Sequence, residues 1–90
     1  MLKPEYTSKF KRDLALMQKR GYKMDKLKIV IEALISEELP LPAQNRDHKL
    51  VGSFAGYREC HIEPDWLLVY YYSDECIVFA RTGSHSDIFR

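Results

Sequence analysis

Three histidines lie outside the helical stretches of this chain: His48 in a central loop, His61 on an expected strand, and His85 in a Gly83-Ser84-His85-Ser86 tail. Imidazole takes and gives protons near neutrality, which is what general acid-base work requires. Each histidine alone is an ordinary solvated side chain, and the set gains meaning only if the fold gathers it. Glu59, His61 and Arg81 fall together at the polar end of one face of the expected sheet, with Asp65 in the turn that follows His61. A carboxylate can hold an imidazole in one tautomer, and an arginine can hold a phosphoryl transition state by paired hydrogen bonds. Imidazole, carboxylate and guanidinium together suit phosphodiester transesterification, in which an RNA 2′-hydroxyl attacks its own phosphate. Trp66, Tyr57, Tyr70 and Phe89 offer flat surfaces for unpaired bases, although core packing is the preferred reading of Tyr70.

Other chemistries lose ground. No two histidines stand at the short separations of common zinc motifs, and no metal or other cofactor is expected. Glycine-rich phosphate loops and G-x-S-x-G elbows are absent, and no Cys/His pair shares an expected face. Cys60 and Cys76 are too few for a disulfide scaffold. The strand map puts their Cα atoms roughly 12 Å apart, beyond bridging distance, so reduced thiols are expected.

These residues need a scaffold, and 90 residues suffice for one small domain spanning the chain, 1–90. Apolar residues at 46% and charged ones at 30% can bury a core and keep it in solution. No apolar run approaches a membrane span and the N-terminus lacks a signal-peptide core, so a cytoplasmic protein is expected. The net charge is only +1, yet residues 1–30 hold nine Lys or Arg against three acids, a local +6. Such a one-sided field steers a polyanion or an acidic protein segment, although it also fits two solvated helix faces.

The element order reads β-α-α-β-β-β. A first strand covers Leu2 to Thr7. A helix from Ser8 carries Phe10, Leu14 and Met17 at helical spacing, with Thr7 or Ser8 as its cap and Gly21 as its stop. A second helix, N-capped by Asp25, buries Leu27, Val30, Ile31 and Leu34 and ends at Leu39-Pro40-Leu41-Pro42. Residues 43–55 read as a loop. Three antiparallel strands follow, at roughly 57–62, 66–72 and 75–82. The class is α+β, a helix hairpin packed on one face of a small, mainly antiparallel sheet. Alternation would place Arg58, Cys60, Ile62, Leu67, Val69, Tyr71, Cys76, Val78 and Ala80 under the helices. Tyr57, Glu59, His61, Trp66, Leu68, Tyr70, Ile77, Phe79 and Arg81 would face away.

Three segments carry a resemblance. Asp47-His48-Lys49-Leu50 with Gly52, Ser53 and Phe54 resembles the D-H-x-L-x-G-x-W segment of YafQ-type toxins in the RelE/ParE superfamily, with Phe for Trp. Tyr57 to Tyr70 is similar to that family's Y-R-[DE]-x-H-[IV]-x-P-D-W-[IL]-L-[IV]-Y strand pair. Arg81-Thr82-Gly83-Ser84-His85-Ser86 with Ile88-Phe89 is similar to its R-T-G-[ST]-H-x-x-L-F ending. The resemblance implies metal-independent cleavage of mRNA on the translating ribosome, and a cognate antitoxin through which alone the protein meets operon DNA. It implies active positions at His48, His61, Asp65 and His85, with Trp66 and Phe89 beside the RNA. Arg81 is added from the strand map and from the basic residue that relatives use near this strand. Glu59, where some members carry Asp, is set among the substrate-binding residues. A ParE-like toxin that binds DNA gyrase without cutting RNA is the alternative, and it would need no clustered acid-base groups. An acidic or amphipathic antitoxin segment is expected on the basic N-terminal half or the active face.

Overall fold

The computed structural model describes residues 1–89. Its elements are β1 (Lys3–Tyr6), α1 (Ser8–Lys19), α2 (Met24–Ile35), β2 (His48–Lys49), β3 (Arg58–Glu63), β4 (Trp66–Ser73), β5 (Cys76–Gly83) and α3 (His85–Ile88). The fold is α+β. One five-stranded sheet runs β1-β5-β4-β3-β2, with β1 parallel to β5 and the other pairs antiparallel. The expected order is present, and the expected loop contains a further strand, β2, paired to β3 through His48 and Glu59. No described helix is long and apolar enough to cross a membrane.

Local chemistry explains where the helices begin and end. Thr7 Oγ1 accepts the Phe10 N–H at 3.0 Å and donates to the Ala80 carbonyl at 2.8 Å, so the α1 cap also fastens the helix to β5. Gly21, at φ +83°, takes the left-handed turn that stops α1, with Gly21 N–H on Gln18 O and Tyr22 N–H on Met17 O. Asp25 does not cap α2: the helix starts two residues earlier, at Met24, with Lys23 at the cap and no side-chain cap bond. Asp25 lies instead in the first turn, where a carboxylate still complements the helix dipole. Phe10, Met17, Leu27, Val30 and Leu34 are buried against Cys60, Trp66, Leu68, Tyr70, Ile77 and Phe79.

That list corrects the expected map of strand faces. Pairing is Glu63 with Trp66 at the turn but His61 with Leu67 and Cys60 with Leu68 beyond it, because a bulge between His61 and Glu63 takes up one residue. A shift of one residue turns a whole strand over. Trp66, Leu68 and Tyr70 therefore lie under the helices, while Leu67 and Val69 form a second, smaller cluster with Ile88, Leu50, Tyr57 and Phe89. Ile77 and Phe79, expected to face away, also lie under the helices; a second irregularity between Val69 and Tyr70 returns only Arg81 to its expected face, so Glu59, Val69 and Arg81 share one cross-strand row.

Candidate active site

Glu59 sits at the centre of the site on β3, only 5% exposed. On one side β2 brings His48, whose Nε2 is 3.3 Å from Glu59 Oε2; on the same strand His61 places Nε2 3.6 Å from that oxygen. His85, opening α3, stacks its ring centroid 5.8 Å from that of His61, and His48 stands 6.4 Å from His61 on the other side. The fold thus gathers three imidazoles that are spread over 38 positions of sequence.

Each ring is held by its Nδ1. His48 Nδ1 meets the Arg46 carbonyl at 2.7 Å and His61 Nδ1 meets the Pro64 carbonyl at 3.2 Å. A carbonyl only accepts, so Nδ1 carries the proton in both rings and Nε2 is the atom turned to Glu59. His85 Nδ1 lies 2.6 Å from Asp65 Oδ1, which also accepts the His85 backbone N–H at 3.0 Å. Those two bonds, the backbone one foremost, hold the Asp65 carboxyl below its ordinary range, so it stays an acceptor and fixes His85 in the same tautomer.

The loop carrying His48 is anchored from below. Tyr70 donates its O–H to Asp47 Oδ1 at 2.6 Å, and Arg58 Nη2 donates to Asp47 Oδ2 at 3.2 Å. Burial, reinforced by Asp47, pushes the Tyr70 phenol up, so it remains a donor throughout the working pH range. Buried Asn45 donates to the His61 carbonyl at 2.8 Å and ties the loop to β3. Burial also pushes the Cys60 thiol up, which removes it as a nucleophile.

Donor atoms of Glu59, His61 and His85 all lie within 4.8 Å of one another, a carboxylate and imidazole set suited to a borderline divalent ion. Sequence separations gave no hint of it, since the three meet only through β3 pairing and the α3 tail.

The sequence profile described as "Bacterial toxin of type II toxin-antitoxin system, YafQ" matches residues 2–90. The chain belongs to the YafQ toxin family. The mRNA interferase toxin YafQ of Escherichia coli K12 is 47% identical over 85 residues, covering 94% of this chain and 92% of that protein. Among solved structures, the E. coli DinJ-YafQ complex matches at a TM-score of 0.93 and 44% identity, over 100% of both chains. A metal-bound toxin from Helicobacter pylori matches at 0.91 and 38%, over 99% of this chain and 100% of that one.

Against the YafQ ending and strand-pair motifs, the expected site residues divide. His48, His61, Asp65 and His85 come together as described, and Glu59 stands among them rather than at their edge. Phe89 packs edge-to-face on Phe54 with centroids 4.9 Å apart, on the outer face beside α3. Trp66 is 1% exposed, with its Nε1–H on Thr82 Oγ1 at 2.9 Å, so it is a core residue and cannot stack on RNA. Arg81 donates Nε and Nη2 to Asp13 of α1 at 2.6 and 3.2 Å, so its guanidinium is already bound to a carboxylate. Asp13 also accepts the Thr82 N–H, and sequence reading passed over it as one acid on a basic helix. Asp87 was passed over too, although Ser84-x-x-Asp87 is a legible capping box.

Proposed function

We propose that this chain is the toxin of a type II toxin-antitoxin pair and a metal-independent endoribonuclease that cuts mRNA on the translating ribosome, in the cytoplasm. The observation that carries the reading is the convergence of three imidazoles, each fixed through Nδ1, around the Glu59 carboxylate. The family's named relatives that are mRNA interferases support it. A gyrase-binding toxin would need no such set.

In this reading His48 or His61 takes the 2′-hydroxyl proton through Nε2. The 2′-oxygen bonds to phosphorus, the bond to the 5′-oxygen breaks, and that oxygen leaves with the Nε2 proton of His85 in its imidazolium form, whose Nδ1–H stays on Asp65. The products are a 2′,3′-cyclic phosphate and a 5′-hydroxyl. Asp65 serves His85, the acid, because its carboxylate lies on the His85 ring. Glu59 plays the corresponding part for the base, offsetting the positive charge that the ring gains. Phe89 supplies a face for a neighbouring base. Arg81 is held on Asp13 through Nε and Nη2, so its first role is support.

The antitoxin site is the apolar groove of about 790 Å³ between α1 and α2, lined by Phe10, Leu14, Leu27 and Ile31, with Lys11, Lys28, Asp25 and Glu32 also on its lining. An amphipathic helix fits it. The E. coli DinJ-YafQ toxin-antitoxin complex supports a protein antitoxin as the partner.

Single-turnover cleavage on programmed ribosomes tests the reaction. The rate should be bell-shaped in pH, and His85→Ala should remove the alkaline limb while RNA binding persists. Wild-type cleavage by His85→Ala with an unchanged profile overturns the assignment. Mapping of 5′ ends after brief induction should show cuts in frame with codons.

A further inference from the structure

We infer that Arg20 and Asp87 form a positioning pair for His85, a role that rests on the proposed cleavage reaction. The ending motif R-T-G-[ST]-H-x-x-L-F leaves position 87 open, so the pair is a feature of this chain and not of the motif. Its geometry is specific. Arg20, at the C-terminal cap of α1, donates Nη1 to Asp87 Oδ2 at 2.8 Å and Nη2 to Asp87 Oδ1 at 3.2 Å. The same carboxylate accepts the Ser84 N–H at 2.9 Å, while Ser84 Oγ accepts the Asp87 N–H at 3.2 Å. The Asp87 carbonyl accepts from Arg81 Nη2 at 3.4 Å, and Arg81 is itself tied to Asp13. Asp87 therefore joins α3 to α1 by two routes, its side chain through Arg20 and its backbone through Arg81.

A helix of four residues has no stability of its own, so α3 takes its orientation from what holds its ends. Asp65 holds the first residue, His85, and Asp87 holds the third. The close approach is built into the turn: Gly83 stands at φ +154°, and a Cβ there would come within 3.0 Å of the Asp87 side chain. Arg20 keeps the Asp87 carboxyl far below its ordinary range, as a persistent bidentate pair should. Loosening this end lets α3 pivot about Asp65 and carries the His85 ring away from His61 and Glu59. Proton transfer is lost before RNA contact is, because misplacement of a reacting group by about 1 Å can cost on the order of a hundredfold in rate.

The test compares Asp87→Asn, which keeps an acceptor for Ser84, with Arg20→Met, Arg20→Lys and the Asp87→Asn/Arg20→Met double variant. Each single loss should slow single-turnover cleavage by about tenfold or more at unchanged half-saturation, with Arg20→Lys between them and wild type. The double variant should be no slower than either single one. A second readout needs no RNA: NOEs between the ring protons of His85 and His61, whose centroids stand 5.8 Å apart, should weaken in Asp87→Asn and Arg20→Met because α3 has pivoted. Weaker RNA binding in Arg20→Met with Asp87→Asn unaffected would make Arg20 a phosphate contact and overturn the inference. Unchanged ring NOEs and unchanged rates in all variants would overturn it too. If wild type itself cuts no RNA, the cleavage reading fails, and the ring NOEs still decide whether the pair positions His85.

Discussion

Trp66 gives the sharpest separation between packing and chemistry, since the strand-pair motif implied a place beside RNA and the structure buries it. The indole is 1% exposed, donates to Thr82 at 2.9 Å and meets Tyr22 edge-on with centroids 4.9 Å apart. Trp66→Phe removes the hydrogen bond, worth about 1 kcal/mol, and leaves Thr82 without an orphaned donor, because its hydroxyl still reaches the Leu67 carbonyl at 2.7 Å. The smaller ring adds a cavity cost of about 1 to 2 kcal/mol, for a total of roughly 2 to 3. In a domain of this size about 1 kcal/mol moves Tm by roughly 4 to 8 °C, so the variant should melt on the order of 10 to 20 °C lower. Trp66→Ala, at about 3 to 5 kcal/mol, would consume much of a typical stability. Circular dichroism melts measure the shift, and cleavage is measured well below the variant's Tm. RNA affinity and rate per folded molecule of Trp66→Phe should match wild type. A Tm within about 2 °C of wild type together with weakened RNA binding would refute the burial argument.

Cleavage should survive EDTA, while Zn²⁺ or Cu²⁺ should inhibit reversibly by occupying Glu59, His61 and His85; activity lost in EDTA and restored by a divalent ion would reverse this. Half-exposed Cys76 should react with a thiol reagent in the native protein and Cys60 only on unfolding, with no bridge between them, which titration with and without denaturant checks. The Asp87 carboxyl is depressed in the folded state, chiefly by Arg20, so its contribution to stability is present above about pH 4 and fades as pH falls further. Urea melts should accordingly show wild type more stable than Asp87→Asn at pH 6, with the difference closing in acid.

The helices were legible because their apolar residues recur at helical spacing; the ends of α1 were legible too, in the Thr7 cap and the Gly21 stop, whereas α2 begins at Met24 without Asp25 as its cap and ends at Ile35, ahead of Leu39-Pro40. The histidine set was legible as residue types, and pairing across β2 and β3 supplied what spacing could not. Register was a different matter. Alternation fixes register only where one face of a strand is polar, and β4 reads Trp66-Leu67-Leu68-Val69-Tyr70 with apolar side chains on both faces. Its outer face is apolar because Leu50, Tyr57, Ile88 and Phe89 cover it, and of these Leu50, Ile88 and Phe89 come from segments that sequence reading treated as loop and tail. Nothing local marks the bulge between His61 and Glu63, so the hairpin could only be paired one-to-one across Pro64 and Asp65. Trp66 was inverted as a result, yet Glu59 and Arg81 kept their shared face because the second irregularity, at Val69 and Tyr70, offsets the first.

The same bulge also serves the site. It leaves His61 at the end of the regular pairing, where its ring can reach back to the Pro64 carbonyl, and sets Asp65 at the turn where His85 arrives from β5. A strictly paired hairpin would turn Leu68 rather than Leu67 toward the His61 side of the sheet and Trp66 out of the core. The irregularity that hid the register from sequence therefore allows one short hairpin to place a core tryptophan, one imidazole and the carboxylate that holds another.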